Sequence, residues 1–122
     1  MNDYFRFIIE AAEKPIVICN TDFRIIYVNE MAKKKYESKL SHKLAGTSVR
    51  IYFDEESQTK LDMSVEWFKE DVSNNKVFAF HDDTHNEDVY IKAARDAEGN
   101  LIGFYNYIES RKNETGKEYD LD

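Results

Sequence analysis

The densest run of metal-ligand side chains in this sequence is His81-Asp82-Asp83-Thr84-His85, with Glu87 two residues further on. Imidazole and carboxylate together suit zinc or a similar divalent ion. The run nevertheless matches no recognised ligand spacing, and acids flanking a hairpin loop are ordinarily solvated, so no metal is expected. His42, the remaining histidine, stands far from that run. Glu55-Glu56 and Asp82-Asp83 are adjacent pairs, which suit a polar surface better than an acid and a base held across a substrate. The single cysteine, Cys19, has no partner for an internal disulfide, in keeping with a reducing compartment. No Ser-His-Asp order, Cys-His pairing, phosphate loop or glycine-rich dinucleotide turn can be read, so no enzymatic activity is expected. Two side chains remain that could recognise a ligand. Arg50 has a planar fork suited to a carboxylate or phosphate, or to a surface pair with Glu55 or Glu56. Asn106 is an amide within a strand-like run, and needs partners from a ligand, a water or a neighbouring group if it is buried.

These groups must be positioned by a chain of 122 residues, 42% hydrophobic and 14% aromatic, which is enough for one core. A formal net charge of -7 opposes binding to a phosphate backbone, so no nucleic-acid partner is expected. No apolar run approaches the roughly 18 residues that mark a membrane span. Asp3 and Glu10 stand where a signal peptide would be basic and then apolar. The expectation is a soluble, cytoplasmic protein with no membrane partner.

The spacing predicts a helix from Asp3 to Glu13, capped by Asn2 or Asp3. Phe5, Ile8, Ile9 and Ala12 share one face of it, which Tyr4, Phe7 and Ala11 widen. Pro15 ends that helix, and strands Ile16 to Cys19 and Ile25 to Val28 follow, joined by a turn that Asp22 starts. Asn29 caps a short helix through Tyr36, and Gly46 precedes an apolar cluster of Val49, Ile51, Tyr52 and Phe53. Asp54 with Ser57 opens a longer helix, whose stripe of Leu61, Val65, Phe68 and Val72 should face a sheet. Three further strands cover Val77 to Asp82, Asp88 to Ala94 and Leu101 to Glu109. The pattern is α+β, a five-stranded antiparallel sheet with helices on one face and an amphipathic helix in front. Residues 1–13 form that helix, 14–110 the domain, and 111–122 a polar tail expected to fray.

Two segments at opposite ends of the domain carry a family resemblance. Asn20-Thr-Asp-Phe-Arg-Ile-Ile-Tyr-Val-Asn29 is a turn and an isoleucine-rich strand closed by Asn at a helix start. Arg95-Asp-Ala-Glu-Gly-Asn-Leu-Ile-Gly-Phe104 holds an Asp-x-x-Gly turn followed by a Gly-Phe pair. In this order the chain resembles the PAS sensory domain over residues 3–110. The resemblance implies a pocket between sheet and helices, lined by Cys19, Tyr27, Arg50, Phe53, Val65, Phe68, Phe80, Ile91, Phe104 and Asn106. It turns Phe104, Asn106 and Ile108 inward with Val89, Ile91 and Ala93, and turns Tyr90, Tyr105 and Tyr107 outward. Phe78 and Phe80 line the pocket in one register, and Val77, Ala79 and His81 replace them if the hairpin length differs.

Gly46-Thr-Ser-Val-Arg-Ile-Tyr-Phe53 is similar to the Gly-x-Asn-Cys-Arg-Phe-Leu-Gln stretch of light-oxygen-voltage members. Gly46 and Arg50 match, but Val49 replaces the reactive cysteine, so covalent flavin photochemistry is not expected. Haem-binding members use a histidine on the long helix, and residues 54–73 contain none. No cofactor is identifiable, which leaves an unidentified small molecule as the ligand of a sensory domain. The alternative is a ligand-free interaction module. The resemblance also implies a homodimer through the N-terminal helix, whose face of Phe5, Ile8, Ile9 and Ala12 is expected to cover the outward Tyr90, Tyr105 and Tyr107 and still present residues to a second copy, the alternative being that the helix only caps its own sheet. Ser110-Arg111-Lys112 stands where members often end in Asp-x-Thr, and the signal would pass to a separate signalling protein unless the chain is a fragment.

Overall fold

Short capped segments build this fold. In the computed structural model, which describes residues 3–119 and Leu121, α1 covers Asp3–Ala11, β1 Val17–Asn20, β2 Ile25–Val28 and α2 Glu30–Tyr36. Then come α3 at Glu55–Glu70, β3 at Lys76–Asp82, β4 at Glu87–Arg95 and β5 at Leu101–Ser110, with single 3-10 turns at Glu37–Lys39 and Val49–Tyr52. The caps are those the sequence predicts. Asn29 Oδ1 accepts from Ala32 N at 2.9 Å, and Asp54 Oδ1 accepts from Ser57 N at 2.8 Å. Asn2, the alternative cap of α1, lies outside the described residues, as do the tail residues Asp120 and Asp122.

The strands form one antiparallel sheet in the order β2-β1-β5-β4-β3, so the first and last hairpins meet through β1 and β5. This is the expected α+β arrangement. Cys19, Ile25, Val28 and Phe104 from the sheet are buried with Ala32 of α2, Leu44, and Leu61, Val65 and Phe68 of α3. Arg95 fastens the far end of α3. Its guanidinium donates to the carbonyls of Phe68, Asp71, Asn74 and Gly99 and to Asn75 Oδ1, at 2.6 to 3.1 Å. Carbonyls left open at a helix C-terminus thereby gain a partner.

Several expectations need correction. α1 stops at Ala11 rather than Glu13, and Val72 lies beyond α3 with its side chain exposed rather than facing the sheet. The first turn is organised by Asn20, whose Oδ1 accepts from the amides of Asp22 and Arg24, both at 3.0 Å. Directly paired residues share a face of an antiparallel sheet. Tyr27 pairs with Ile18, which pairs with Tyr105, so Tyr27 lies on the outer face and not in the pocket. An irregularity between Phe78 and Phe80 inserts Ala79 as an extra residue. Val77 therefore pairs with Ile91 and packs on the core, whereas Phe78 pairs with Tyr90 and faces outward. Phe80 pairs with Val89 on the inner side but sits at the sheet edge, 56% exposed. One inserted residue switches the face of everything beyond it, which is why neither uniform register fits the strand.

Candidate functional site

The helix face of the sheet gathers most of the expected pocket residues into one packed cluster. Cys19, Val65, Phe68 and Phe104 are buried against one another, Ile91 packs at their margin, and the Phe23 ring meets Phe104 edge-on at 5.6 Å. Burial pushes the Cys19 thiol up to about 12, which keeps it protonated and unreactive at neutral pH. Phe53 does not join the cluster; it is 43% exposed at the end of its 3-10 turn.

The two polar candidates are both engaged by the protein itself. Asn106 Nδ2 donates to the Pro15 carbonyl at 2.9 Å, and its Oδ1 accepts from Val17 N at 2.7 Å. The amide thus continues the β1–β5 pairing past Ile18, where proline has no N–H to offer. Arg50 forms a two-pronged pair with Asp62 of α3, and not with Glu55 or Glu56, and its guanidinium lies 5.0 Å from the centre of the Phe23 ring. Among the described residues, no buried side-chain nitrogen or oxygen lacks a hydrogen-bond partner. Asn106→Leu strands the Val17 amide and the Pro15 carbonyl, and is expected to lower stability by about 2 kcal/mol in thermal or urea denaturation. An unchanged midpoint would show that the amide has no structural role.

Two clefts open elsewhere. One, of about 490 Å³, is lined by Lys69 to Val72, Arg95 and Gly99 to Leu101. The other, of about 170 Å³, lies between residues 12–16 and 105–108. The first is bordered by an arginine already engaged by four carbonyls and one side-chain oxygen, and the second borders the root of α1.

α1 itself presents an apolar surface. Phe5, Phe7 and Ile8 are 62%, 59% and 66% exposed, and no residue of the helix is buried. Ile9 and Ala12 are half-buried, where the helix root meets Asn29. The Asn29 side chain is completely buried and joins four segments through Ile9 O, Lys14 O, Ile16 N and Ala32 N. Glu10 reaches the same corner, accepting from Glu30 N at 3.0 Å. Sequence spacing identified Asn29 as a cap but not as this junction, since three of its partners precede it.

The outer face of the sheet is aromatic and basic. The Phe78 ring packs at a tilt against Tyr90 at 5.5 Å and Tyr90 against Tyr107 at 6.2 Å, while Lys76 lies 4.1 Å from the Tyr90 ring centre and Lys92 4.4 Å from that of Tyr107. Tyr105 is half-buried on the same face. α1 does not lay its apolar side over these rings, contrary to one role expected of it.

At the β3–β4 tip, His81 and His85 occupy different surroundings. His81 Nδ1 lies 2.9 Å from Asp88 Oδ1, and Arg111 Nε donates to Asp88 Oδ2 at 2.8 Å. Those bonds, Arg111 first, hold the Asp88 carboxyl below its usual range. His85 instead approaches Asp82, and Glu87 pairs with Lys14.

No family model and no curated protein matches the chain. Solved structures do. A C-terminal domain from Streptococcus mutans is similar over 88% of this chain and 83% of that one, with a TM-score of 0.67 at 20% identity. A sensory box sensor histidine kinase from Vibrio cholerae covers 88% of both chains with a TM-score of 0.59 at 13% identity. A PAS domain from Colwellia psychrerythraea covers 88% of this chain and 93% of its own, with a TM-score of 0.59 at 12% identity. At these identities the likeness establishes the fold, and that fold is PAS-like. No helix among the described residues is long and apolar enough to cross a membrane.

Proposed function

We propose that this PAS-like domain is a sensory or signalling module that works by docking the apolar face of α1 on a second copy of the chain. The observation that carries the proposal is the exposure of Phe5, Phe7 and Ile8 on a helix whose root is fastened to the core through Asn29. A nine-residue helix is marginal alone in water. Burying a Phe or Ile side chain gains about 1.5–3 kcal/mol, so covering this face stabilises both the helix and the contact. A second copy supplies an equal helix and an outer face bearing Tyr90, Tyr105 and Tyr107 beside Lys76 and Lys92. A two-fold arrangement satisfies both helices at once, because each contact is made twice. A separate signalling protein would then read the dimer, in the cytoplasmic setting that the lone cysteine favours.

A small molecule entering among Cys19, Val65, Phe68 and Phe104 would have to part side chains that already pack on one another. That packing, and the lack of an orphaned buried polar atom among the described residues, support contact over ligand entry.

Sedimentation velocity tests the proposal. The wild-type chain is expected to sediment as a dimer, and the double substitution Phe5→Asp and Ile8→Asp as a monomer with unchanged circular dichroism of the sheet. A monomeric wild type, or a dimer indifferent to both aspartates, would overturn it.

A further inference from the structure

Three ligand-type side chains converge where the β3–β4 hairpin closes. Asp82 ends β3, Glu87 begins β4, and the two are a directly paired couple, so both project from the helix face of the sheet. His85 reaches back from the turn and places Nδ1 2.8 Å from Asp82 Oδ2. One ligand atom from each of the three lies within 4.8 Å of the other two. Asp82 is oriented by its own loop. Its Oδ1 accepts from Thr84 N at 3.0 Å and His85 N at 3.4 Å, which leaves Oδ2 turned to the histidine. The left-handed turn at Asn86, φ 52°, brings the chain back in time for Glu87 to join them.

Two carboxylates this close, with the Glu87 side chain only 13% exposed, call for a cation. Lys14, in the segment between α1 and β1, supplies one by pairing with Glu87. We propose that Asp82, His85 and Glu87 form a binding site for a divalent transition-metal ion of the zinc type, for which Lys14 is the displaceable stand-in. One imidazole and two carboxylates suit such an ion at bond lengths of about 2.0–2.2 Å, and water completes the coordination. His81 is not part of the site, because the carboxylate beside it already faces Arg111. Displaced from Glu87, Lys14 loses its tie to the hairpin, while its carbonyl stays bound to Asn29. The site stands independently of the dimer, since none of its three ligands lies on α1 or on the outer aromatic face.

Tag-free protein titrated with zinc chloride in a calorimeter, and with cobalt(II) by visible absorption, tests the assignment. One ion per chain is expected. His85→Gln and Glu87→Gln should each weaken binding by at least about tenfold. His81→Gln should leave the affinity unchanged, and Lys14→Met should tighten it by removing the competing ammonium. His85 is exposed in the turn, so His85→Gln carries the test even if Glu87→Gln disturbs folding. Absence of saturable binding in both wild type and Lys14→Met would overturn the site. So would binding that survives His85→Gln, or that is lost with His81→Gln.

Discussion

Asn29→Leu is expected to lower the unfolding free energy by about 3–5 kcal/mol, a large share of the stability of a domain this size. The amide has two donor hydrogens and two acceptor lone pairs, and all four are used. Oδ1 takes Ile16 N and Ala32 N, both at 2.9 Å, and Nδ2 gives to Ile9 O and Lys14 O, both at 3.1 Å. Leucine matches the branching of asparagine, but its methyl groups are bulkier than the planar amide, so some overpacking is expected. The larger part of the loss comes from backbone groups left without partners in a site that water does not reach. Asn29→Asp separates the two halves of the effect. It keeps the acceptor for Ile16 and Ala32, but sets a carboxylate oxygen against the carbonyls of Ile9 and Lys14. Hydrogen exchange in Asn29→Asp is therefore expected to accelerate first in α1 and residues 12–16. Urea denaturation gives the global figure, and a loss below about 1 kcal/mol for Asn29→Leu would contradict the junction.

Gly103→Ala is expected to be comparably damaging, by about 3 kcal/mol or more. Gly103 pairs with Asn20 where the two hairpins join. A Cβ there would lie 2.1 Å from the Cys19 carbonyl oxygen, 3.1 Å from its carbon and 3.3 Å from Asn20 Cα. All three atoms are backbone, so no side chain can swing aside, and β1 must move off β5. Gly46→Ala provides the contrast. That position has φ +91° with nothing within 4 Å of a new Cβ, so only the backbone conformation resists, at about 1–2 kcal/mol. Thermal denaturation of the two variants is expected to rank Gly103→Ala well below Gly46→Ala, and the reverse order would contradict the close approach of the strands.

Local signals in the sequence located what local physics determines. Asp54 with Ser57, Asn29 before α2, and the recurrence of Leu61, Val65 and Phe68 identified helix starts and a buried stripe, because caps and helical periodicity act within a few residues. Alternation on β5 left two registers open, and it was the family resemblance that turned Phe104 and Ile108 inward, where both are buried. Tyr27 and Phe78 escaped because irregularities in β1–β2 and β3–β4 shift the face, and an extra residue leaves no mark on composition, whereas Phe80 keeps the inner face but is exposed at the sheet edge. The engagement of Asn106 by Pro15 and Val17, of Arg50 by Asp62, and of Glu87 by Lys14 spans 91, 89, 12 and 73 positions of sequence. Such pairs are set by tertiary contact alone. The apolar arc of α1 was legible, but whether it covers its own sheet was not, since exposure depends on where the root is tied.

The central claim is that α1 meets a second copy of the chain, and a spin label on α1 tests it most directly. Cys19 is 2% exposed with its thiol pushed up to about 12, so Ala11→Cys offers one accessible thiol per chain. Any dipolar coupling measured by double electron-electron resonance then arises between chains. A defined intermolecular distance that disappears when Phe5→Asp and Ile8→Asp are added is the predicted result. A labelled wild-type background with no intermolecular coupling, or coupling that persists in the double aspartate variant, would contradict the account.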